Sequence, residues 1–165
     1  MSNSSIRAAK SADVGRIWEL ILELADYEKL SDIVSGSADL LGASLFGERP
    51  SAEALVAEAG GKIVGYAIFF TNFSTFTARP GIWLEDIYVQ PECRGSGLGK
   101  AMLYEVAKIA RVRGCARFEW VVLDWNEPSI RFYEALGAKR MPEWHICRLE
   151  GQTLADLGAV ATEAP

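Results

Sequence analysis

The run from Ile82 to Gly114 constrains this chain more than any other. It starts as an apolar, β-prone segment, I-W-L-E-D-I-Y-V, carrying two adjacent acids, Glu85 and Asp86, passes Pro91, and enters a glycine-rich turn from Arg94 to Gly99. Apolar residues then recur three and four apart at Leu98, Met102, Leu103, Val106, Ala107 and Ala110, the period of an amphipathic helix, and Gly114 stands where a left-handed C-terminal cap is expected. Strand, glycine turn and helix in that order make an anion-binding corner. The first amides of a helix have no intrahelical acceptor, and the helix dipole adds positive potential at that end. Gly95, Gly97 and Gly99 remove the side chains that would hold a diphosphate away from those amides. For an isolated glycine triplet, a plain strand-to-helix corner stays open as the alternative.

Spacing separates the families of phosphate loops. The Walker pattern G-x-x-x-x-G-K-[ST] fails, because only three residues separate Gly95 from Gly99 and Ala101 follows Lys100. The dinucleotide fingerprint G-x-G-x-x-G fails too, and Gln90 to Arg94 separate the glycines from the strand. What fits is R-x-x-G-x-G, from Arg94 to Gly99.

The length, 165 residues, suits one domain with a proper core. A net charge of −5 argues against nucleic acid as partner and suits a cationic ligand. Cys93, Cys115 and Cys147 are odd in number and form no C-x-x-C, so neither a disulfide framework nor a zinc site is indicated and a reducing compartment is expected. His145 is the sole histidine, which leaves no metal cluster; a structural role is expected for it. Met1 to Ser5 is a short polar start without a leader, and no apolar run is long enough to cross a bilayer, so a cytoplasmic protein is expected.

Along the chain, Ile6 to Ala9 reads as a strand. Ser11 and Asp13 open a helix with Val14, Ile17, Trp18, Ile21, Leu24 and Ala25 on its apolar face, ending near Tyr27 and Glu28. After a polar connection from Leu30 to Gly36, Ser37 caps a short helix containing Leu40, Leu41 and Leu45, closed by Arg49-Pro50. Strands at Glu53 to Ala59 and Lys62 to Phe70 are joined by the hairpin pair Gly60-Gly61. Asn72 to Gly81, polar and holding Pro80, reads as a loop open to substrate contact. Arg117 to Leu123 reads as a strand, Pro128 to Gly137 as a helix, Trp144 to Leu149 as the last strand and Gln152 to Leu157 as a helical turn, with a flexible tail over 158–165. This order predicts an α/β fold, a mixed central sheet flanked by helices on both faces, with two parallel crossovers in the second half.

R-G-S-G-L-G resembles the coenzyme A pyrophosphate loop of the GNAT superfamily of N-acetyltransferases. The chain is most similar to the diamine (spermidine/spermine-type) acetyltransferase branch, through E-L-A-D-Y-E at Glu23 to Glu28, L-E-D at Leu84 to Asp86, W-N-E-P-S at Trp125 to Ser129, and F-Y at Phe132-Tyr133. The resemblance spans Ile6 to about Leu149 and implies the GNAT (acyl-CoA N-acyltransferase) fold. It further implies central strands that splay apart to admit the pantetheine arm, acetyl-CoA as co-substrate, no metal, and a homodimer. One departure narrows the acceptor. Thr71 to Gly81 carries no acid and has Arg79 where mammalian polyamine enzymes of the branch have an acid-bearing loop, which disfavours long polyamines and leaves a diamine or a lysine-like amino acid such as thialysine.

The resemblance makes Glu85 the general base, through water, with pairing to a basic residue across the sheet as the structural alternative. Asp86 belongs on the opposite face of a regular strand, so both acids line one pocket only if a bulge intervenes, as the family has. Coenzyme contacts are implied for the backbone of Ile87, Tyr88 and Val89, for Arg94, Gly95, Ser96, Gly97, Leu98, Gly99 and Lys100, and for Asn126, Glu127, Pro128 and Ser129. For Asn126 and Ser129, helix capping is equally simple. Tyr133 is the implied general acid, against a core stripe with Ile130 and Leu136. Tyr27, Glu28, Glu119, Trp120 and Glu143 complete the implied substrate contacts, with a solvated surface group as the alternative for each. Two other functions stay open: a coenzyme-binding sensor without catalysis, and acetylation of protein or peptide amines.

Overall fold

The computed structural model describes residues 4–160. The start Met1 to Asn3 and the end of the expected tail, 161–165, lie outside them. The chain forms two compact units that divide between Val121 and Val122.

The first unit is built on a five-stranded sheet in the order β1-β2-β3-β4-β5. Its strands are β1 (Ser4–Ala8), β2 (Glu53–Ala59), β3 (Lys62–Ser74), β4 (Arg79–Val89) and β5 (Phe118–Glu119). The first four pair antiparallel, and β4 and β5 pair parallel. Gly60 and Gly61 both take positive φ, 58° and 75°, the hairpin geometry that their lack of a Cβ permits. Helices α1 (Val14–Tyr27), α2 (Ala38–Phe46) and α3 (Leu98–Val112) cover the sheet. Ser37 Oγ caps α2 by accepting from the Leu40 amide at 3.2 Å. Ile17 and Leu20 of α1 are fully buried against Val56, Tyr66, Ile68 and Tyr88. On the other face Met102 of α3 packs where Gly65 leaves room. Gly114 takes φ 67° behind α3, and the Cys115 amide reaches back to Ala110 O at 2.9 Å, closing the expected cap.

Two expectations change in this unit. The stretch 72–81 is no loop: β3 and β4 stay in register out to Ser74 and Arg79, with Pro80 opposite Phe73, and only Thr75 to Ala78 turn. Pro80, which has no N–H to give, still offers its carbonyl to the Ala116 amide at 2.8 Å. The strand expected over 117–123 shrinks to Phe118–Glu119, paired with Ile82 and Trp83 alone. A bulge follows in β4 beyond Leu84, and a bulge bends its strand, so the parallel ladder ends ahead of it.

The second unit holds α4 (Glu127–Ala135) and α5 (Gly151–Val160). Asn126 Oδ1 accepts from the Ser129 amide at 3.4 Å, which realises the capping alternative for both residues, and Gly137 ends α4 at φ 91°. The expected last strand, Trp144 to Leu149, does not form among the described residues; Trp144, Ile146 and Leu149 are exposed. A strand exists only as half of a ladder, and alternating apolar residues cannot supply the partner. With it goes the second parallel crossover. His145 is likewise exposed and outside any strand, while the terminal turn lengthens into the whole of α5.

Candidate active site

Pairing registers place the two acids. Leu84 lies opposite Phe69 and Asp86 opposite Ile68, leaving Glu85 as the extra residue of the bulge. Phe69 and Ile68 are consecutive and so face opposite ways; Leu84 and Asp86 therefore do too, and Glu85 joins Asp86 on one face. The expected bulge is present, and both acids sit on the face that carries Tyr66, Ile68 and Tyr88 under α1. Glu85 is exposed and accepts from the Trp83 indole N–H at 3.0 Å, and among the described residues no ion pair involves it. Asp86 is half-buried. Burial first, then the charges of Glu85 and Glu28, push its carboxyl up to about 6. Glu28, the residue that ends α1, is half-buried, and burial raises its carboxyl as well.

Beyond Trp83, no strand pairs with the outer edge of β4 among the described residues. The Gln90 amide bonds inward to Val64 O at 2.9 Å, so alternation turns the Tyr88 amide inward and those of Ile87 and Val89 outward. Of the three residues expected to offer backbone to a pantetheine arm, Ile87 and Val89 present amides to the open edge and Tyr88 does not. The Val89 carbonyl is taken by Arg94 Nε at 2.9 Å.

The glycine turn follows at the end of this strand. Gly95 and Gly97 take φ 74° and 88°, left-handed values that cost an L side chain about 1–2 kcal/mol. Gly97 is the N-cap of α3 and offers no side chain; Ala101 is the first amide to bond back, to Gly97 O at 2.9 Å. Ser96 Oγ donates to Cys93 O, tightening the turn. The leading amides of Leu98, Gly99 and Lys100 thus begin an uncapped 15-residue helix, the donor set a diphosphate needs. The Arg94 guanidinium lies 4.8 Å from the Tyr27 ring centre and 5.4 Å from that of Tyr88, a cation between two aromatic faces.

The Acetyltransferase (GNAT) family profile matches residues 18–138, from α1 through the glycine turn to the end of α4. The chain belongs to the GNAT acetyltransferase family. It is similar to the thialysine N-epsilon-acetyltransferase of Sus scrofa, 44% identical over 95% of this chain and 98% of that one. Human spermidine/spermine N(1)-acetyltransferase-like protein 1 is 32% identical over 95% of this chain but only 24% of its own length. Among solved structures, an integron cassette protein from the mobile metagenome of V. cholerae shares the fold at TM-score 0.79 and 24% identity, covering 94% of this chain and 97% of that one. The chain is thus an acetyltransferase of the diamine branch with the expected GNAT fold.

The remaining positions of this GNAT acetyltransferase divide by surroundings. Glu119 is already engaged: Arg117 Nε lies 2.7 Å from its carboxylate and Asn72 Nδ2 3.3 Å, so its charge ties β5 to β3. Trp120 is half-buried with its ring 5.0 Å from that of Phe118. In the second unit Tyr133 is half-buried, 5.3 Å from the Phe132 ring; Glu127 and Pro128 start α4 on its exposed side, and Glu143 is exposed. Two neighbours of the candidate site were not singled out in the sequence. Glu23 accepts from the Tyr88 hydroxyl at 3.2 Å and from Gln90 Nε2 at 3.0 Å, locking α1 to the end of β4. Its place between Leu20 and Tyr27, a carboxylate on an apolar helix face, was the available signal. Tyr66 left no such signal. Its hydroxyl is buried with no hydrogen-bond partner, a property of packing alone.

Proposed function

We propose that the chain transfers the acetyl group of acetyl-CoA to a primary amine of a small cationic molecule, with a lysine-like amino acid such as thialysine as the preferred acceptor over diamines and long polyamines. The observation that carries this reading is the bulge. It brings Glu85 and Asp86 to one face beside the unpaired edge of β4, which suits an alkylammonium next to a thioester. The name of the relative at 44% identity supports the acceptor, as does the absence of any acid between Thr71 and Gly81.

The outward amides of Ile87 and Val89 and the amides of Gly95 to Lys100, with Arg94, are the groups to hold acetyl-CoA, which supplies an activated acyl carbon. Glu28 and Asp86 attract the ammonium, with Tyr27 offering an aromatic face. A carboxylate beside an ammonium also raises the amine's pKa, so the proton must leave by a relay. Glu85 receives it through water. The amine nitrogen forms the new bond to carbon and the carbon–sulfur bond breaks; Tyr133 donates a proton to the departing thiolate, and the second proton that the nitrogen sheds returns through water to the Tyr133 phenolate. The reading includes a cytoplasmic homodimer and involves neither membrane nor nucleic acid. Among the described residues no helix is long and apolar enough to cross a membrane.

A thiol-release screen over thialysine, lysine, other amino acids, diamines and polyamines tests it. Thialysine is expected to give the highest kcat/KM. Saturable binding of acetyl-CoA with no thiol released from any amine would replace the reading with a sensor module, and faster turnover of peptide amines would replace the acceptor.

A further inference from the structure

One polar group on the α1-covered face has no use in the scheme above. Tyr66 is wholly shielded from solvent, yet its hydroxyl makes no hydrogen bond. Leaving such a group unpaired is costly, and native proteins rarely do so without a reason. The ring is held from one side by Tyr88, its direct cross-strand partner, at 6.4 Å between ring centres. Asp86 lies opposite Ile68, so Tyr66 and Asp86 are diagonal neighbours on one face, a separation that an aromatic side chain spans. Burial and the charges of Asp86 and Glu28 hold the phenol proton on well past neutral pH, so Tyr66 remains a donor.

We propose that Tyr66 is a positioning residue for the acid pair: its buried hydroxyl, unpaired in this structure, is the donor onto which the Asp86 carboxylate turns when it is ionised, and it sets the pH at which that carboxylate is available to the acceptor ammonium. This role rests on the proposed amine acetyltransfer. The groups facing Asp86 are few and mostly acidic. α1 contributes Glu28, with Tyr27, Glu23 and the Arg16 that pairs with Glu23 further along; β4 contributes Glu85 and Tyr88; β3 contributes Tyr66; the Arg94 guanidinium is spread between the rings of Tyr27 and Tyr88. Burial, Glu85 and Glu28 all push the Asp86 carboxyl up, and Tyr66 is the buried donor able to oppose them by binding the charged form.

Two measurements test this on the full chain. The first follows the Asp86 side-chain carboxyl carbon by NMR against pH in the wild type and in Tyr66→Phe, which removes one oxygen and keeps the ring. The midpoint is expected to rise by about one pH unit in Tyr66→Phe, a tenfold gain in proton affinity; equal midpoints would overturn the proposal. This readout needs no turnover, so it stands even if the chain acetylates none of the amines tried. The second is the kcat/KM–pH profile with the best acceptor. Its acid limb is expected to move up in Tyr66→Phe, mainly through KM for the amine, and to be unaffected by the same change made in an Asp86→Asn background. If Tyr66 only fills space, Tyr66→Phe leaves the limb in place and thermal stability equal or higher, which would overturn the proposal. Should Tyr66→Phe not fold, Tyr66→Leu, which also lacks a donor, is read in the same way, and an unmoved Asp86 midpoint in it would overturn the assignment.

Discussion

Glu85 and Asp86 are neighbours in the chain with opposite circumstances. Glu85 reaches solvent and holds only an indole N–H, so it is placed to exchange a proton with water. Replacing it with Gln keeps the size and removes the proposed base; turnover at neutral pH is expected to fall roughly 10²- to 10³-fold while calorimetry finds coenzyme affinity unchanged. Asp86 is half-buried, and desolvation with the charges of Glu85 and Glu28 raises its carboxyl from 3.8 to about 6. Below pH 3.8 it is protonated in both folded and unfolded chains and costs nothing. Between 3.8 and about 6 the unfolded chain ionises first, and stability drains away; above about 6 the full burden stays. Asp86→Asn is therefore expected to stabilise the free protein by about 2–3 kcal/mol at pH 7.5, with little effect at pH 4, as read by denaturant unfolding at the two values. Asp13 behaves in the opposite sense. Hydrogen bonds from Arg7, at 2.6 and 3.1 Å, hold its carboxyl below the usual range, so that bond stabilises at neutral pH and is lost on acidification.

At the scale of elements, the turn before α3 and the hairpin after β3 use left-handed backbone differently. Gly97 at φ 88° caps a helix whose amides must stay bare. Open space surrounds the missing Cβ, so Gly97→Ala suffers from backbone strain alone. It is expected to cost about 1–2 kcal/mol in stability and to weaken coenzyme binding roughly tenfold by calorimetry, because relaxing φ re-aims the leading amides. Ala78, in the β3–β4 turn, takes φ 51° with a Cβ in place. Ala78→Gly is expected to stabilise by about 0.5–1 kcal/mol, seen as a higher Tm without loss of activity, since the relief of strain exceeds the added chain entropy. Helices α1 and α3 were legible from their apolar period because each buries one stripe on the sheet, whatever its neighbours. Strand ends were not. β3 and β4 run past Phe70 because Phe73 and Pro80 find each other, and β5 stops at Glu119 because β4 bends away; both outcomes depend on a partner strand.

For the whole molecule, much apolar side chain remains in contact with solvent toward the C-terminus: Met141, Trp144, Ile146, Leu149, Leu154 and Leu157 are each about half exposed or more. This accords with the proposed homodimer, and sedimentation is expected to find a dimer whose dissociation exposes tryptophan fluorescence to quenching. A monomer at micromolar concentration would remove that part of the reading. Local sequence determined what local physics controls: the helices and their caps, the Gly60-Gly61 hairpin, and the anion-binding turn, since each depends on residues within a few positions. The loop carried the resemblance to the family only together with E-L-A-D-Y-E, L-E-D, W-N-E-P-S and F-Y in order. Only the tertiary structure decided that Glu85 and Asp86 share a face, that Glu119 accepts from Asn72 of β3, and that the Tyr66 hydroxyl is left without a partner. Each of those depends on which distant strand lies alongside and in what register, and a one-residue slip between β3 and β4 is enough to reverse it.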